Sequence, residues 1–477
     1  MKKQYIIGID GGSQSTKIAI YDLQGSIVSK SVEPLRPTHL APQGVVEHSD
    51  DDLWDTLCAA STRAMAALEG DPGDIIGVGL CTIRFCRCLL RSDGTLAQPA
   101  MSWMDARVSR PYVHDNPYVR YVTTSSGYIT HRFTGEFKDT AANYLGVWPL
   151  DTNTWQWYED ASRFGAYNVP RDMLFTLQMP GTILGYVTDA ASRATGIPAG
   201  LPVVATANDK AVEALGVGCT NEHTAVISLG TYIAAMVQGN HNVEQPLQFW
   251  VNLASMPNVY LYESNGIRRG MWMLSWFIDI LGDSFIAHAK AMGLSPEELL
   301  NQEASAVPAG CDGLMTVPDW LAPTNQPHRK GFMMGFDARH TRAHIYRSIL
   351  EAIALTMKNN INAMCDELNM VLDKVIISGG GASSDLFMQI FADVLNLPVT
   401  RTLVSGAAGL GSAICVAVAV GAYDSFEAAV DSMVKAGDLF TPNADTVKLY
   451  DRINNEVYKT LPQCADEVLK KTYPIFG

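Results

Sequence analysis

One pattern occurs twice in this chain: a β-strand, a short turn rich in glycine and hydroxyl side chains, and a second strand that runs back. The first copy covers residues 5–21, and the second, TAVISLGTYIAAMV, covers residues 224–237. Apolar residues alternate on both sides of each turn, which predicts two hairpins. Strand and helix patterns alternate elsewhere, so the predicted fold is α/β. The repeat predicts two duplicated domains, residues 1–222 and 223–477, that hold one ligand in the cleft between them.

The first turn, in IIGIDGGSQSTK at residues 6–17, offers backbone N–H groups and hydroxyls to an anion. It is not a Walker loop, because no Gly-Lys-Ser/Thr opens a helix, and it is not a dinucleotide fingerprint, because a strand follows. Taken alone, the segment is typical of a plain hairpin. Paired turns, however, suit a nucleotide whose phosphates lie between two domains. The turn residues that would face each other are Gly12, Ser13, Gln14, Ser15 and Thr16 on one side and Gly230 and Thr231 on the other.

Length, charge and cysteine content restrict the class of protein. The 477 residues suffice for two domains, and a net charge of −14 disfavours nucleic acid, whose phosphates would be repelled. The N-terminus leads directly into a strand, and the longest apolar stretch, near residues 413–420, is shorter than the ~20 residues of a membrane helix. Nine irregularly spaced cysteines favour reduced core thiols over a metal cluster at Cys81, Cys86 and Cys88. We expect a cytoplasmic protein with neither nucleic-acid nor membrane partners.

Two aspartates stand where predicted buried strands end. Asp10 has an apolar context and is a hard oxygen ligand suited to Mg²⁺. Asp209, in LPVVATANDKAVEALGVG, is either a helix N-cap or a functional group at the strand end where α/β proteins bind ligands. Together they offer one carboxylate for a metal and one for a proton. Lys17 neutralises a phosphate or is a solvated hairpin lysine.

Arginines interrupt an apolar strand pair in GVGLCTIRFCRCLLRSDG. A buried guanidinium needs a partner, and strand alternation places Arg84 and Arg87 on opposite sides, so one of them faces the cleft. In SWMDARV, Trp103 and Asp105 combine a flat apolar wall with a polar group, which suits a sugar. The glycines of VIISGGGASSDLFMQIFADVLNLPV allow a flat ring to approach, or form a tight strand-to-helix turn.

In this order, the segments resemble the FGGY carbohydrate kinases, the ATP-dependent sugar and polyol kinases of the actin, Hsp70 and hexokinase superfamily. GIDGGSQSTK and ISLGTYIA are similar to the two phosphate motifs, and SWMDARV is similar to the Trp-x-Asp-x-Arg stretch. THRFTGEFKDTAANYLGVWPLD resembles the Leu-Thr-Gly-Glu segment, and ANDKAVEALGVG resembles the catalytic-base segment. Segments that begin GFMMGFDARH, SGGGASSDLF and GAAGLGSAIC resemble the C-terminal signature and adenosine-binding regions. The likeness covers nearly the whole chain and is close to uncharacterised bacterial sugar kinases.

The resemblance implies duplicated actin-like (ribonuclease H-like) domains, the first for the sugar and the catalytic base, the second for adenosine. It implies ATP and Mg²⁺ as cofactors, a small sugar, polyol or sugar acid as the acceptor, and a homodimer as the candidate assembly. Asp209 matches the catalytic base, and Asp10 the metal ligand. The implied substrate-binding residues are Arg84, Phe85, Trp103, Asp105 and Lys210. The implied ATP-binding residues are Gly12, Ser13, Gln14, Ser15, Lys17, Gly230, Thr231, Gly380, Gly381, Ala382 and Asp385.

The chain departs from the family at positions near the acceptor. Arg84-Phe85-Cys86 stands where xylulose kinases have Met-His-Gly and glycerol kinases have an Arg-Glu pair. Lys210 replaces the usual Asn or Gln after the base, and the 108–127 segment is short. Arg84 and Lys210 together predict an acceptor with a carboxylate or a dense set of hydroxyls. The alternatives are a chaperone, for which no residues are left to form a peptide-binding domain, and a sugar sensor, which would not need Asp209.

Overall fold

The structure is a computed structural model that describes residues 3–323, 325–402 and 406–476. The N-terminal half holds strands β1 (Tyr5–Gly11), β2 (Ser15–Asp22), β3 (Ile27–Pro34), β4 (His39–Ala41), β5 (Val45–Glu47), β6 (Ile75–Thr82), β7 (Cys88–Leu90), β8 (Tyr121–Thr123), β9 (Lys138–Thr140), β10 (Leu150–Asp151), β11 (Gln156–Trp157), β12 (Thr176–Gln178), β13 (Ile183–Tyr186) and β14 (Pro202–Val204). Its helices are α1 (Asp52–Ala66), α2 (Ser125–Thr134), α3 (Ala161–Gly165), α4 (Asp189–Thr195) and α5 (Asp209–Gly216).

The C-terminal half holds strands β15 (Thr224–Leu229), β16 (Ile233–Gly239), β17 (Phe249–Leu253), β18 (Tyr260–Ser264), β19 (Met315–Val317), β20 (Phe332–Met334), β21 (Lys374–Gly379), β22 (Val399–Thr402) and β23 (Ala436–Phe440). Its helices are α6 (Trp272–Leu281), α7 (Asp283–Ala291), α8 (Pro296–Ser305), α9 (Arg342–Leu368), α10 (Asp385–Leu395), α11 (Ala407–Ala419), α12 (Phe426–Met433), α13 (Ala444–Ile453), α14 (Leu461–Cys464) and α15 (Asp466–Phe476).

The two large sheets share the arrangement of their four central strands. The first runs β13-β14-β6-β1-β2-β3, and the second runs β17-β18-β16-β15-β21-β22-β23. In each sheet an antiparallel hairpin, β1–β2 or β15–β16, lies beside two parallel strands, β6 and β14 or β21 and β22. The duplicated α/β fold predicted from the repeated hairpin is therefore confirmed.

The strands are held in place by a core that is mostly apolar. Every residue of β15 and β16 is buried, and so is all of β1 except its last residue. Parallel strands that are covered on both faces favour continuous apolar runs, which is the pattern the sequence shows. Polar groups therefore collect at the strand ends, and Asp10 is the first polar side chain of β1.

Helices α5 and α11 pack against each other and link the two halves of the chain. Helix α11, from the C-terminal half, also packs on β1 and β6 of the first sheet. The backbones approach so closely that a Cβ on Gly411 would overlap the carbonyl oxygen of Val212, and a Cβ on Gly216 would overlap that of Ala407. Glycine at these helix positions is therefore required by packing rather than by a turn.

We expect Gly411→Ala to destabilise this helix crossing. The added methyl group has no room, so α5 and α11 must move apart, and the free energy of unfolding should fall by about 1–3 kcal/mol, the usual cost of overpacking. Gly165→Ala is the matched control, because a Cβ there meets nothing within 4 Å. Chemical denaturation measures both variants. Equal stability of the two would show that the crossing is not tightly packed.

Three further features are the character of the helices, the state of the cysteines and the position of the predicted domain boundary. In the described ranges, no helix combines the length and the apolar character needed to cross a membrane. All nine cysteines are free thiols. The domain boundary predicted at residue 222 falls in the connection between α5 and β15 and stays a prediction.

Candidate active site

Two cavities lie where the halves of the chain meet. The first, which we call the turn cavity, has a volume of about 740 Å³ and is lined from both halves. Its lining residues include Asp10, Gly12, Ser13, Gln14, Ser15, Lys17, Asp209, Glu213, Ser378, Gly379, Ala382 and Ala407. The second, the aromatic cavity, has a volume of about 800 Å³. Its lining residues include Arg84, Phe85, Tyr232, Glu244, Phe249, Trp250, Asn252 and Glu263.

Asp10 lies at the floor of the turn cavity, near the end of β1. The hairpin register places it opposite Lys17, whose Nζ lies 3.2 Å from its Oδ2. The turn beyond it is closed by the Gly12 N–H, which donates to the Ser15 carbonyl at 3.1 Å. Lys17 is half-exposed, so this ion pair contributes little to stability and a ligand can replace it easily.

Asp209 also lines the turn cavity, at the first position of α5. The helix cap is its neighbour Asn208, whose Oδ1 accepts from the N–H groups of Lys210 and Ala211, both at 3.2 Å. The alternative in which Asp209 is the N-cap is therefore wrong. The side chain is 30 % exposed, and the nearest cation is Arg84, whose Nε lies 3.7 Å from its Oδ1. Burial raises the pKa of Asp209 above its ordinary value, and the charges of Arg84 and Lys210 only partly oppose this.

Arg84 and Phe85 occupy a turn between β6 and β7, the two strands of the apolar pair predicted from the sequence. Phe85 has a φ of 67°, a backbone conformation that bulky residues rarely adopt. The turn projects Arg84 into the cleft, where Nη1 donates to Glu263 at 2.8 Å and to Asn252 at 3.1 Å. Arg87 instead donates to backbone carbonyls of its own half. The prediction that one arginine faces the cleft is confirmed, although strand alternation is not the reason.

Lys210 is part of a hydrogen-bonded network that joins α5 to the second sheet. Its Nζ donates to Glu213 and to Ser228 at 3.0 Å each, and Ser378 donates to Glu213 at 2.7 Å. Burial acts to raise the pKa of Glu213, but Lys210 and the serine hydroxyls outweigh it, so the pKa is lowered. Both cations that predicted an acidic acceptor are thus already paired with protein carboxylates.

Trp103 and Asp105 lie outside the lining of both cavities. Asp105 is buried, and its oxygens accept from the Val46 N–H at 2.8 Å and from Arg107 Nε at 2.8 Å. These contacts tie the Trp-x-Asp-x-Arg stretch to β5. Trp103 is about half-exposed. Their assignment to the substrate stays a prediction.

The predicted ATP-binding residues fall into two groups. The first-turn residues and Ala382 line the turn cavity. The carbonyls of Gly230 and Thr231 accept from the N–H groups of Met271 and Gly270, which fixes this turn to the start of α6. The turn cavity is not lined by the remaining predicted residues, which are Gly230, Thr231, Gly380, Gly381 and Asp385. Their roles also stay predictions.

Sequence reasoning missed three polar residues of the cleft: Glu213, Asn252 and Glu263. Glu213 follows Lys210 by three residues, so helical spacing could have paired them. Glu263 is the single charged residue of the buried strand YLYES, and a lone charge of that kind requires a partner. Asn252 gives no comparable signal, because an amide is common at strand ends and in loops.

The residues of the turn cavity fit a magnesium nucleotide. Within the described ranges, no cluster of three or more histidine, cysteine or acidic side chains could hold a metal by itself. Mg²⁺ in phosphoryl-transfer sites is usually bound by one or two carboxylates, with phosphates and water completing the shell. Asp10 supplies such a carboxylate beside the N–H groups and hydroxyls of the first turn, and Asp209 lines the same cavity.

Comparison with known proteins gives consistent results. The N-terminal and C-terminal domain models of the FGGY family of carbohydrate kinases match residues 5–114 and 225–420. The chain is 54% identical over 475 residues to the "uncharacterized sugar kinase YgcE" of Escherichia coli K12, covering 100% of this chain and 96% of that protein. It is 26% identical to the autoinducer-2 kinase of Enterobacter sp. strain 638, over 94% of this chain and 92% of that one.

Solved structures agree in fold. The xylulose kinase of Rhodospirillum rubrum superposes with a TM-score of 0.84 at 22% identity, over 98% of this chain and 100% of that one. The glycerol kinase of Plasmodium falciparum gives a TM-score of 0.81 at 17% identity, over 96% and 98% of the two chains. At these identities the likeness concerns the fold alone. The family models and the full-length relative go further and show that this chain belongs to the FGGY family and is an ATP-dependent carbohydrate kinase.

Proposed function

We propose that this enzyme transfers the γ-phosphoryl group of ATP to a hydroxyl of a small sugar, polyol or sugar acid, with Asp209 as the base. The observation that carries the proposal is the position of Asp209 between the two cavities. It lines the turn cavity and lies 3.7 Å from Arg84, which lines the aromatic cavity. A nucleotide in one cavity and an acceptor in the other would meet at this carboxylate.

In the proposed reaction, Asp209 accepts the proton of the acceptor hydroxyl while the hydroxyl oxygen forms a bond to the γ-phosphorus. The bond from the γ-phosphorus to the bridging oxygen breaks, and ADP leaves. A base works best when its pKa lies near the operating pH. Burial raises the pKa of Asp209 in that direction. The acidic limb of the pH–rate profile should therefore lie above the ordinary titration range of aspartate.

The first turn and Asp10 form the proposed nucleotide site. The N–H groups and hydroxyls of residues 12–15, with Lys17, would hold the phosphates, and Asp10 would hold Mg²⁺. When bound, Mg²⁺ stabilises the negative charge on the transferring phosphoryl group. We also propose Gly230, Thr231, Gly380, Gly381, Ala382 and Asp385 as the binding residues of the C-terminal half.

The aromatic cavity favours neutral acceptors. The faces of Phe85, Tyr232 and Trp250 offer the flat apolar surfaces on which sugar rings stack. Of the charged residues in the lining, Arg84 is paired with Glu263, so Glu244 leaves an excess of negative charge. An acidic acceptor would meet repulsion here, and we place sugars and polyols ahead of sugar acids.

A screen of acceptors by ADP release tests this proposal. The panel holds pentuloses, hexuloses, polyols and sugar acids, each with ATP and Mg²⁺, with Asp209→Asn as the inactive control. We expect turnover with one or more neutral members and the highest kcat/KM among them. A sugar acid with the highest kcat/KM would contradict the ranking. Turnover with no member of a broad panel would contradict the assignment of the acceptor.

We further propose a cytoplasmic location and a homodimeric assembly. The free thiols of all nine cysteines suit a reducing compartment. The homodimer is an expectation from the family resemblance, and sedimentation equilibrium of the purified protein decides it.

A further inference from the structure

We propose that Glu263 is a positioning residue: from the C-terminal half, it holds Arg84 of the N-terminal half beside Asp209, so that the catalytic site is complete only while the two halves are in contact. This inference rests on the proposed role of Asp209. It concerns a residue that neither sequence motif nor family resemblance singles out.

Glu263 lies in an unusual position for a charged side chain. It is 4 % exposed and belongs to β18, a strand that lies between β17 and β16 and whose residues are all buried. A carboxylate in such surroundings is costly unless donors surround it. The donors here are Arg84 Nη1 at 2.8 Å, Arg84 Nη2 at 3.4 Å and Asn252 Nδ2 at 3.0 Å. Both terminal nitrogens of one guanidinium are thus committed to a strand of the other half.

The arrangement leaves one nitrogen of Arg84 for the base. Nη1 and Nη2 are held by Glu263, and Asn252 accepts a second bond from Nη1 at 3.1 Å. Nε faces Asp209 at 3.7 Å, which is attractive for the charges but too long for a hydrogen bond. Oδ1 of Asp209 also accepts from the Lys210 N–H at 3.0 Å, so Asp209 is stabilised in place while its second oxygen, Oδ2, remains available to a hydroxyl proton.

The contact crosses the cleft, so it depends on how the halves sit. Arg84 extends from the β6–β7 turn of the first half, whereas Glu263 and Asn252 belong to adjacent strands of the second sheet. Separation of the halves would break the hydrogen bonds from Arg84 to Glu263 and Asn252 and would free Arg84. The guanidinium would then bind Asp209 directly, because among the described residues Glu263 and Asp209 are the carboxylates within 4 Å of it, and the base would be blocked.

Glu263→Gln tests the inference, because it keeps the size of the side chain and removes its charge. We expect kcat to fall on the order of 10²-fold, the effect of misplacing a catalytic group, with little change in the KM for ATP. The conservative Glu263→Asp variant should recover part of the loss. The acidic limb of the pH–rate profile should move to lower pH, because Arg84 then acts on Asp209 alone. The other charged groups that act on Asp209 are Lys210, which lowers its pKa, and Glu213, which raises it. Asp209 in turn raises the pKa of the buried Cys81 and Cys86 thiols that face it.

Glu351→Gln is the matched control. Glu351 is a buried carboxylate of the same half, paired with Arg347 at 2.8 Å and far from the cleft in its contacts. Glu351→Gln removes a buried ion pair, as Glu263→Gln does, so it reproduces any general loss of stability that comes from such a change. We expect its kcat and its pH–rate profile to match those of the wild type. Asn252→Ala replaces Glu263→Gln if the latter does not fold.

Small-angle scattering gives a readout that needs no turnover. Without ligands, Glu263→Gln should have a larger radius of gyration than the wild type, and Glu351→Gln should not. Wild-type kinetics and scattering in Glu263→Gln would overturn the inference while leaving the proposed function intact. If Glu263→Gln differs from the wild type in scattering but the wild type phosphorylates no acceptor, the proposed function is overturned instead. If Glu263→Gln loses the same factor of kcat at every pH, and Glu263→Asp recovers none of it, then Glu263 has only a structural role.

Discussion

Asp209→Asn should lower turnover by roughly 10²- to 10⁴-fold, the usual cost of removing a general base. Asparagine has the same shape but cannot accept the proton of the acceptor hydroxyl at neutral pH. The fold should be unaffected, because the cap of α5 is Asn208 and not Asp209. Nucleotide affinity should also persist, since the first turn binds phosphates through its own N–H groups. Steady-state kinetics, thermal melting and ATP binding measured together check all three expectations.

Asn208→Ala provides the complementary control for this experiment. It removes the two hydrogen bonds to the N–H groups of Lys210 and Ala211, so the free energy of unfolding should fall by about 1 kcal/mol. Asp209→Asn should show no such loss. Near-normal turnover in a folded Asp209→Asn enzyme would exclude Asp209 as the base. Asp10 would then be the next candidate, because it lines the same cavity.

The parts of the fold that sequence predicts well are those fixed by local rules. Alternating apolar residues and a glycine turn define each hairpin without reference to the rest of the chain. Two copies of the pattern then predict two similar sheets, and both sheets contain the hairpin beside two parallel strands. Asp10 and Asp209 follow from the same reasoning, because carboxyl ends of parallel strands share one edge of a sheet.

The contacts across the cleft could not be predicted, because they join segments that are distant in sequence. Arg84 was expected to need a partner, but nothing in the chain points to Glu263 rather than to another carboxylate. The direction in which the turn projects Arg84 is also not predictable, since the positive φ of Phe85 leaves no sequence signal. Phenylalanine in that conformation is held by tertiary contacts.

Asp105 shows the opposite limitation, in which a motif is recognised but its surroundings are not. Its sequence context resembles a sugar-binding stretch, whereas its oxygens are occupied by Arg107 and by the backbone of Val46. Those partners are brought together by β5 and by the turn after Trp103, which only the folded chain defines. Residue type and motif thus indicate a candidate site, and tertiary structure determines which of its side chains already have protein partners.

Asp10→Asn should distinguish the role of Asp10 from that of Asp209, the other aspartate of the turn cavity. Asparagine preserves the size of the side chain but binds Mg²⁺ weakly, so the proposed metal ligand is lost. We expect turnover at a fixed Mg²⁺ concentration to fall about 10²-fold, since charge stabilisation worth several kcal/mol is at stake. The Mg²⁺ concentration for half-maximal rate should rise. Lys17 loses its ion pair, but it is half-exposed, so stability should change little.

Comparison of the two variants makes the assignment specific. ATP binding measured without Mg²⁺ should not weaken in Asp10→Asn, because Asp10 offers no donor to a phosphate and its loss removes a repulsive charge and releases Lys17. Asp209→Asn should keep the Mg²⁺ dependence of the wild type despite its low turnover. If Asp10→Asn also keeps that dependence, the nucleotide phosphates and water hold the metal without Asp10. If both variants change it alike, the carboxylates share the metal, and the base must be sought among other groups.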